Sequence, residues 1–348
     1  MPIRSPLPSV PVPNVALNEF MIGALTKHAI KTPHKLALVD ASNPESALTY
    51  QLLLKSVKTL TANLRQLSGW KHEQQPIMIV APNSIAFVLV MLAAEASSLV
   101  YTTVNPTAVA QEIKRQLVDS NASCVFVTEE TLPTVISAVN QLDDQTQIKV
   151  IVVMDGTEQR SSTFDSHSFS IHHLFTLLTA GKSDSMDKVK GRWWLQCSPD
   201  DAAFLPYSSG TTGSPKGVIM LDRLVWPNMQ PPVHDAAELL EIQCVPMYHG
   251  YGYHTIHKSL YLGSTALIVP RFHPVLYFEI IQKYKVRFLY VVPPTAIHLA
   301  KHAERTSFDL SSVQYAMSSA APLQPELEQS LYQQYPNMKL VQGALMPV

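Results

Sequence analysis

The chain has 348 residues, 46% of them hydrophobic and 15% charged, which excludes a disordered chain and gives room for two to three structural units with a large core. Its formal net charge of −1, without any basic run, removes the electrostatic case for binding nucleic acid. The three cysteines, Cys124, Cys197 and Cys244, are odd in number and far apart, so they fit a reducing compartment rather than a disulfide framework. No signal of a charged then apolar stretch opens the chain, and the longest apolar run, Ile85 to Ala94, is too short for a bilayer and meets Glu95. These features predict a cytoplasmic protein with no transmembrane segment. The last three residues, Met346-Pro347-Val348, are not a Ser-Lys-Leu peroxisomal signal, so that compartment is left to a full-length form.

In chain order, residues 1–14 carry five prolines and read as an extended arm. Residues 49–67 read as an amphipathic helix, because Leu53, Val57, Leu60, Leu64 and Leu67 recur at helical spacing. Strands and helices then alternate: Ile77–Ala81, a helix over Ser84–Ser97, Leu99–Val104, a helix over Ala108–Asp119, Cys124–Val127, a helix over Leu132–Leu142 and Val150–Met154. Nearly continuous apolar strands alternating with helices mean a parallel sheet covered on both faces. Residues 155–190 are rich in Ser, Asp, Thr and Lys around one helix candidate, Ile171–Leu178, and read as a loop or linker closing a first α/β subdomain over 1–190. A second subdomain over 191–348 follows. Ala202–Leu205 leads into a glycine-rich loop and Val218–Met220 leads out of it. Strands are expected at Ile242–Val245, Ala266–Val269, Phe288–Val292, Val313–Met317 and Lys339–Val341, with helices at Leu276–Tyr284 and Pro325–Tyr335. The fold class is α/β, with two doubly covered, mostly parallel sheets.

The loop is Tyr207-Ser208-Ser209-Gly210-Thr211-Thr212-Gly213-Ser214-Pro215-Lys216-Gly217. Glycines let backbone N–H groups converge on an anion, hydroxyls add short donors, and Lys216 adds a compact positive charge. The natural ligand of such a loop is a polyphosphate. It is not a Walker loop, because Pro215 precedes Lys216 and Gly217 follows it, and it lacks the dinucleotide fingerprint. The plain alternative is a surface turn, which has no use for a lysine so placed.

Further along, Pro246-Met247-Tyr248-His249-Gly250-Tyr251-Gly252 follows a strand, with His254 and His257 close behind. Locally it reads as aromatic and histidine packing at a strand–helix junction. A zinc site is disfavoured, since no Cys, Asp or Glu stands at ligand spacing among these histidines. Ser318-Ser319-Ala320-Ala321-Pro322-Leu323 follows another strand, where small side chains let a flat ring lie on the backbone or simply make a turn.

Together these stretches resemble the adenylate-forming superfamily of acyl-CoA synthetases, 4-coumarate–CoA ligase and firefly luciferase, over nearly all of residues 1–343. The resemblance implies a carboxylic acid, ATP, magnesium and coenzyme A as the small molecules handled. It places Ser208, Ser209, Gly210, Thr211, Thr212, Gly213 and Lys216 on the phosphates. It places His249 by the reacting carboxyl group, so that Lys216 and His249 are the catalytic candidates. Met247, Tyr251 and Met317 would line the acyl body, and Ser319, Ala320, Ala321 and Pro322 the adenine. Arg271-Phe272, Ile281 to Val286 and Val292-Pro293-Pro294 match in order and read as scaffold. Two departures stand out. Ser319 occupies a position where the family carries glycine. After Gln342-Gly343 the family continues with Tyr-Gly-x-Thr-Glu, whereas this chain reads Ala344-Leu345-Met346-Pro347-Val348. The expectation is therefore a truncated member without the C-terminal lid and with no protein metal ligands of its own. Its activation of a fatty or aryl acid would be impaired. The alternative is a non-catalytic isoform that binds nucleotide or acyl ligand, or pairs with a partner through an unfinished sheet edge.

Overall fold

The computed structural model describes residues 14–67, 76–144, 147–156, 169–180, 193–208, 215–221 and 238–343. Most of the Pro-rich arm, much of the polar stretch before 190 and residues 344–348 lie outside these ranges.

The chain opens with α1 (Leu17–Lys31), β1 (Leu36–Asp40), β2 (Ala47–Thr49) and α2 (Tyr50–Leu64). Thr49 caps α2 by accepting from the Leu52 N–H at 3.2 Å, and the predicted leucine stripe is the buried one. Next come β3 (Ile77–Val80), α3 (Ile85–Ala96), β4 (Tyr101–Val104), α4 (Ala110–Ser120), β5 (Cys124–Val127), α5 (Leu132–Val139) and β6 (Val150–Val153). Every residue of β3, β4, β5 and β6 is buried, as strands covered on both faces require. The helix expected over Ile171–Leu178 is instead a strand, β7 (Ser170–His173), running into α6 (Leu174–Thr179). Pairing of Ser170–His173 along β6 claims the first half for the sheet.

The second half holds β8 (Ala202–Leu205), β9 (Tyr207–Ser208), β10 (Lys216–Gly217), β11 (Met220–Leu221), β12 (Leu240–Gln243), α7 (Gly250–Leu262), β13 (Thr265–Ile268) and α8 (Pro274–Tyr284). It ends with β14 (Phe288–Val291), α9 (Pro293–Lys301), β15 (Tyr315–Ser318), α10 (Pro325–Gln334) and β16 (Lys339–Gln342). Pro293 and Pro294, which read as scaffold, open α9, because proline suits a first helical turn whose N–H groups have no partner in the helix.

Among the described residues, the strands form two seven-stranded sheets and a two-stranded hairpin. The first sheet runs β11-β8-β4-β3-β5-β6-β7 and is parallel except for β11; the second runs β16-β15-β14-β12-β13-β1-β2 and is parallel except for β2. The sheets are not dealt out in consecutive halves divided near 190. Residues 36–49 supply β1 and β2 to the second sheet, and residues 202–221 supply β8 and β11 to the first. The largest core cluster joins α1, α2 and α3 to Tyr253, Ile256 and Leu260 of α7, so helices pack between the two sheets. Among the described residues, no helix is long and apolar enough to cross a membrane.

Candidate active site

The carboxyl ends of β3 and β4 in one sheet and of β12 and β13 in the other meet around one side chain, Asn83. Its Nδ2 donates to the carbonyls of Gln243 at 3.3 Å, Val245 at 3.1 Å and Val269 at 3.3 Å, and its Oδ1 accepts from the Met247 N–H at 2.8 Å. From β4, Thr103 donates to the Tyr248 carbonyl at 2.8 Å. Together they fix the turn that presents His249, the N-cap residue of α7. Gly252 is needed here, since a Cβ would stand 2.1 Å from the Pro246 carbonyl oxygen. Such a crevice beyond strand carboxyl ends is where open α/β sheets hold ligands.

His249 is exposed at the mouth of this crevice, yet the protein around it lowers its imidazole pKa by desolvation. It is therefore neutral at pH 7 and can accept or donate one hydrogen bond beside a carboxylate. Its ring lies 4.4 Å from that of Tyr248. Met247 is buried. Tyr251 is buried and its hydroxyl donates to the Met317 carbonyl at 2.7 Å, which joins two of the predicted substrate-lining residues across the space from α7 to β15.

The turn after β15 carries Ser319, whose N–H donates to the Val291 carbonyl at 3.3 Å. Its hydroxyl, and that of Ser318, are buried and have no hydrogen-bond partner among the described residues. The left-handed residue is Ala320, at φ 73°, so Ser319 itself needs no glycine-like backbone. Ala320, Ala321 and Pro322 are exposed and free to meet a flat ring. Gln342 braces the turn by accepting from the Leu323 N–H at 3.1 Å.

The glycine-rich loop hangs from the first sheet. Ser208 pairs with Lys216 and Tyr207 with Gly217 in the β9–β10 hairpin, and the Tyr207 hydroxyl donates to Asp119. Ser209, Gly210, Thr211, Thr212 and Gly213 lie outside the described residues, as does the Ser208 side chain. Lys216 is exposed. Among the described residues, no hydrogen bond joins it to His249 or to the 318–322 turn, so the hairpin, α7 and the β15 turn stand as separate walls.

Five buried residues were given no role in the sequence reading: Glu95, His257, Asn83, Glu241 and Lys258. Glu95 of α3 accepts from the Tyr101 hydroxyl at 2.9 Å and meets His257 Nε2 at 2.8 Å, while His257 Nδ1 donates to the Tyr253 carbonyl at 2.7 Å. This pair locks α7 against α3, and Asn83 locks the turn before it. Glu241 and Lys258 lie deeper between α7 and the second sheet. The available signal was a lone charge inside an apolar stretch, as with Glu95 after Ile85–Ala94.

Comparison with known proteins agrees with this layout. The family model described as AMP-binding enzyme matches residues 25–344. A 4-coumarate–CoA ligase of Arabidopsis thaliana is 32% identical over 98% of this chain and 58% of its own length. The peroxisomal OPC-8:0-CoA ligase of the same plant is 30% identical, again over 98% and 58%. A red-emitting luciferase from Phrixothrix hirtus superposes with a TM-score of 0.80 at 21% identity, covering 93% of this chain and 60% of that one. The chain thus spans 58% of the length of these two ligases. With that model matching residues 25–344, the chain belongs to the AMP-binding enzyme family.

Proposed function

We propose that this chain holds ATP at the 207–217 hairpin and a carboxylic acid along α7, and that the protein joins the two and passes the acyl group to coenzyme A. A carboxylate oxygen forms a bond to the α-phosphorus, the bond to the β-phosphate oxygen breaks, and pyrophosphate leaves. A thiol sulfur then bonds to the acyl carbon, AMP leaves with the carboxyl oxygen, and the thiol proton passes to solvent. The first step joins two anions, so charge neutralisation and positioning govern its rate. Lys216 and the hydroxyls of Ser208, Ser209, Thr211 and Thr212 would cradle the phosphates. Lys216 is exposed and free to reach them. Magnesium suits that hard-oxygen set and would offset phosphate charge. His249 meets the carboxylate, Tyr251 and Met317 border the acyl body, and the small residues 319–322 back the adenine.

The observation that carries this reading is the placement of His249 at the junction of both sheets, fixed by Asn83 and Thr103. ATP binding by the 348-residue chain, followed by calorimetry, together with acid-dependent exchange of pyrophosphate into ATP, tests it. Lys216→Ala is expected to weaken ATP binding about tenfold or more, the worth of a charge-assisted contact. Absence of ATP binding in the folded chain overturns the reading.

A further inference from the structure

One stripe of α7 leaves the site and runs down the second sheet: Tyr251, Thr255, Lys258 and Leu262 recur at helical spacing. Lys258 lies two turns beyond Tyr251, about 10 Å along the helix. It is only 7% exposed. Its ammonium stands 4.5 Å from the centre of the Phe288 ring and 5.3 Å from that of Tyr290. Among the described residues, no carboxylate is in ion-pair contact with it. A buried ammonium is costly without a partner, and aromatic faces compensate only in part.

The floor opposite is built in cross-strand rows. Parallel pairing sets Phe288 beside Tyr315 and Lys339, and Tyr290 beside Met317 and Val341. Burial falls along each row: Tyr290 is 1% exposed, Met317 is half-buried and Val341 is 49% exposed. A groove therefore runs between α7 and β14–β16, open on the β16 side. Its apolar part begins at Tyr251, and its far end carries two ammonium groups, since Lys339 stands 5.8 Å from the Tyr315 ring centre. Beside Phe288 in the first row, and facing α7 with it, fully buried Glu241 accepts from Ser259 and, at 2.9 Å, from Tyr290, while among the described residues its Oε1 has no hydrogen-bond partner. Burial lowers the pKa of Lys258, and the charge of Glu241 opposes that shift.

We propose that this groove selects a carboxylic acid bearing a second anionic group at its far end, a medium-length dicarboxylate, and that Lys258 is the residue that reads the distal group. The proposal rests on the carboxylate-activation reading above and names its substrate class. One carboxylate stands at His249, the chain lies over Tyr251 and Met317, and the far carboxylate meets Lys258 with Lys339 nearby. An arriving anion supplies the partner that the buried ammonium lacks.

Calorimetric titration of the 348-residue chain with octanoate and with octanedioate, in the presence of ATP, tests this. The dicarboxylate is expected to bind about tenfold tighter, as one charge-assisted contact allows. Lys258→Met, which keeps the apolar stem, should abolish that preference and leave octanoate affinity unchanged. Lys339→Met, at an exposed position that leaves folding intact, should reduce the preference about twofold to threefold. Equal binding of the two acids by the wild-type chain overturns the proposal alone. So does a preference that survives both substitutions. Binding of neither acid by chain that is folded by circular dichroism and still binds ATP overturns the carboxylate reading and this proposal together.

Discussion

The two seven-stranded sheets are built alike and covered differently. In the first, β3, β4, β5 and β6 are buried at every residue and contribute apolar layers to both neighbouring cores. In the second, β15 alternates between half-buried and buried, and β16 is mostly exposed. Buried polar groups also differ. Glu241 and Gln243 sit within β12 at 0% exposure, held by Ser259, Tyr290 and Thr255. The first sheet gains stability from area removed from water, about 25 cal/mol per Å² of apolar surface. The second gives up some of that on the face towards α7, where the row from Tyr290 to Val341 is only partly covered. The first sheet is covered on both faces along β3 to β6; the second is covered on its α8–α10 side and only partly on its α7 side, where we propose that the acyl group lies.

Core truncation should show the contrast at its largest. Phe126 of β5 is fully buried between sheet and helices. Phe126→Ala is expected to cost about 3–5 kcal/mol in urea or thermal unfolding, the sum of lost transfer energy and a cavity. A loss under about 1 kcal/mol would mean that the first sheet is less tightly packed than its burial implies.

Between the sheets, α7 supplies a pH-dependent term. Burial lowers the pKa of His254 from 6.5 to about 4, with His257 adding to the shift. Above about pH 6.5 the ring is neutral in both folded and unfolded chains. Between about pH 6.5 and 4 only the unfolded chain binds the proton, so stability falls as pH falls, by up to about 3 kcal/mol. His254→Gln should flatten that part of the stability profile. Parallel acid profiles for wild type and variant would refute the assignment.

Much of the scaffold is readable from sequence because parallel strands covered on both faces are short apolar runs between turn residues. Cys124–Val127 is such a run, and it is β5 end to end. The edge strand β7 is not, since Ser170–His173 has one apolar residue among three polar ones and takes its identity from β6. Nor is α9, whose two prolines serve equally to end one element or to begin another. Within the site, His249, Tyr251 and Met317 are recognisable as a pattern, and Tyr251 does reach Met317. Asn83 is not recognisable: its partners are carbonyls far along the chain, and a Pro-Asn pair after a strand signals only a stop. Glu95 with His257, and Lys258 against Phe288, depend on two elements meeting in space, which periodicity does not encode. The glycine-rich loop is the reverse case. Its composition says most about its ligand, while the structure describes only its flanking strands.

The smallest effect discriminates most sharply between the two kinds of sheet. Val127 in β5 is 0% exposed, and Val341 in β16 is 49% exposed. The same substitution to threonine exchanges a methyl for a hydroxyl at either place. At Val127 the hydroxyl enters a filled apolar layer and is expected to cost about 1–3 kcal/mol. At Val341 it meets water, and stability should change by no more than about 0.5 kcal/mol. Val341 lies beside Met317 on the α7 side of the sheet, so its apolar surface belongs to the groove floor. Val341→Thr should therefore weaken octanoate binding about twofold while leaving unfolding unchanged, and Val127→Thr should do the opposite. Loss of stability at Val341 without loss of binding would show that β16 is held as tightly as β5 and would return that wall of the groove to the core.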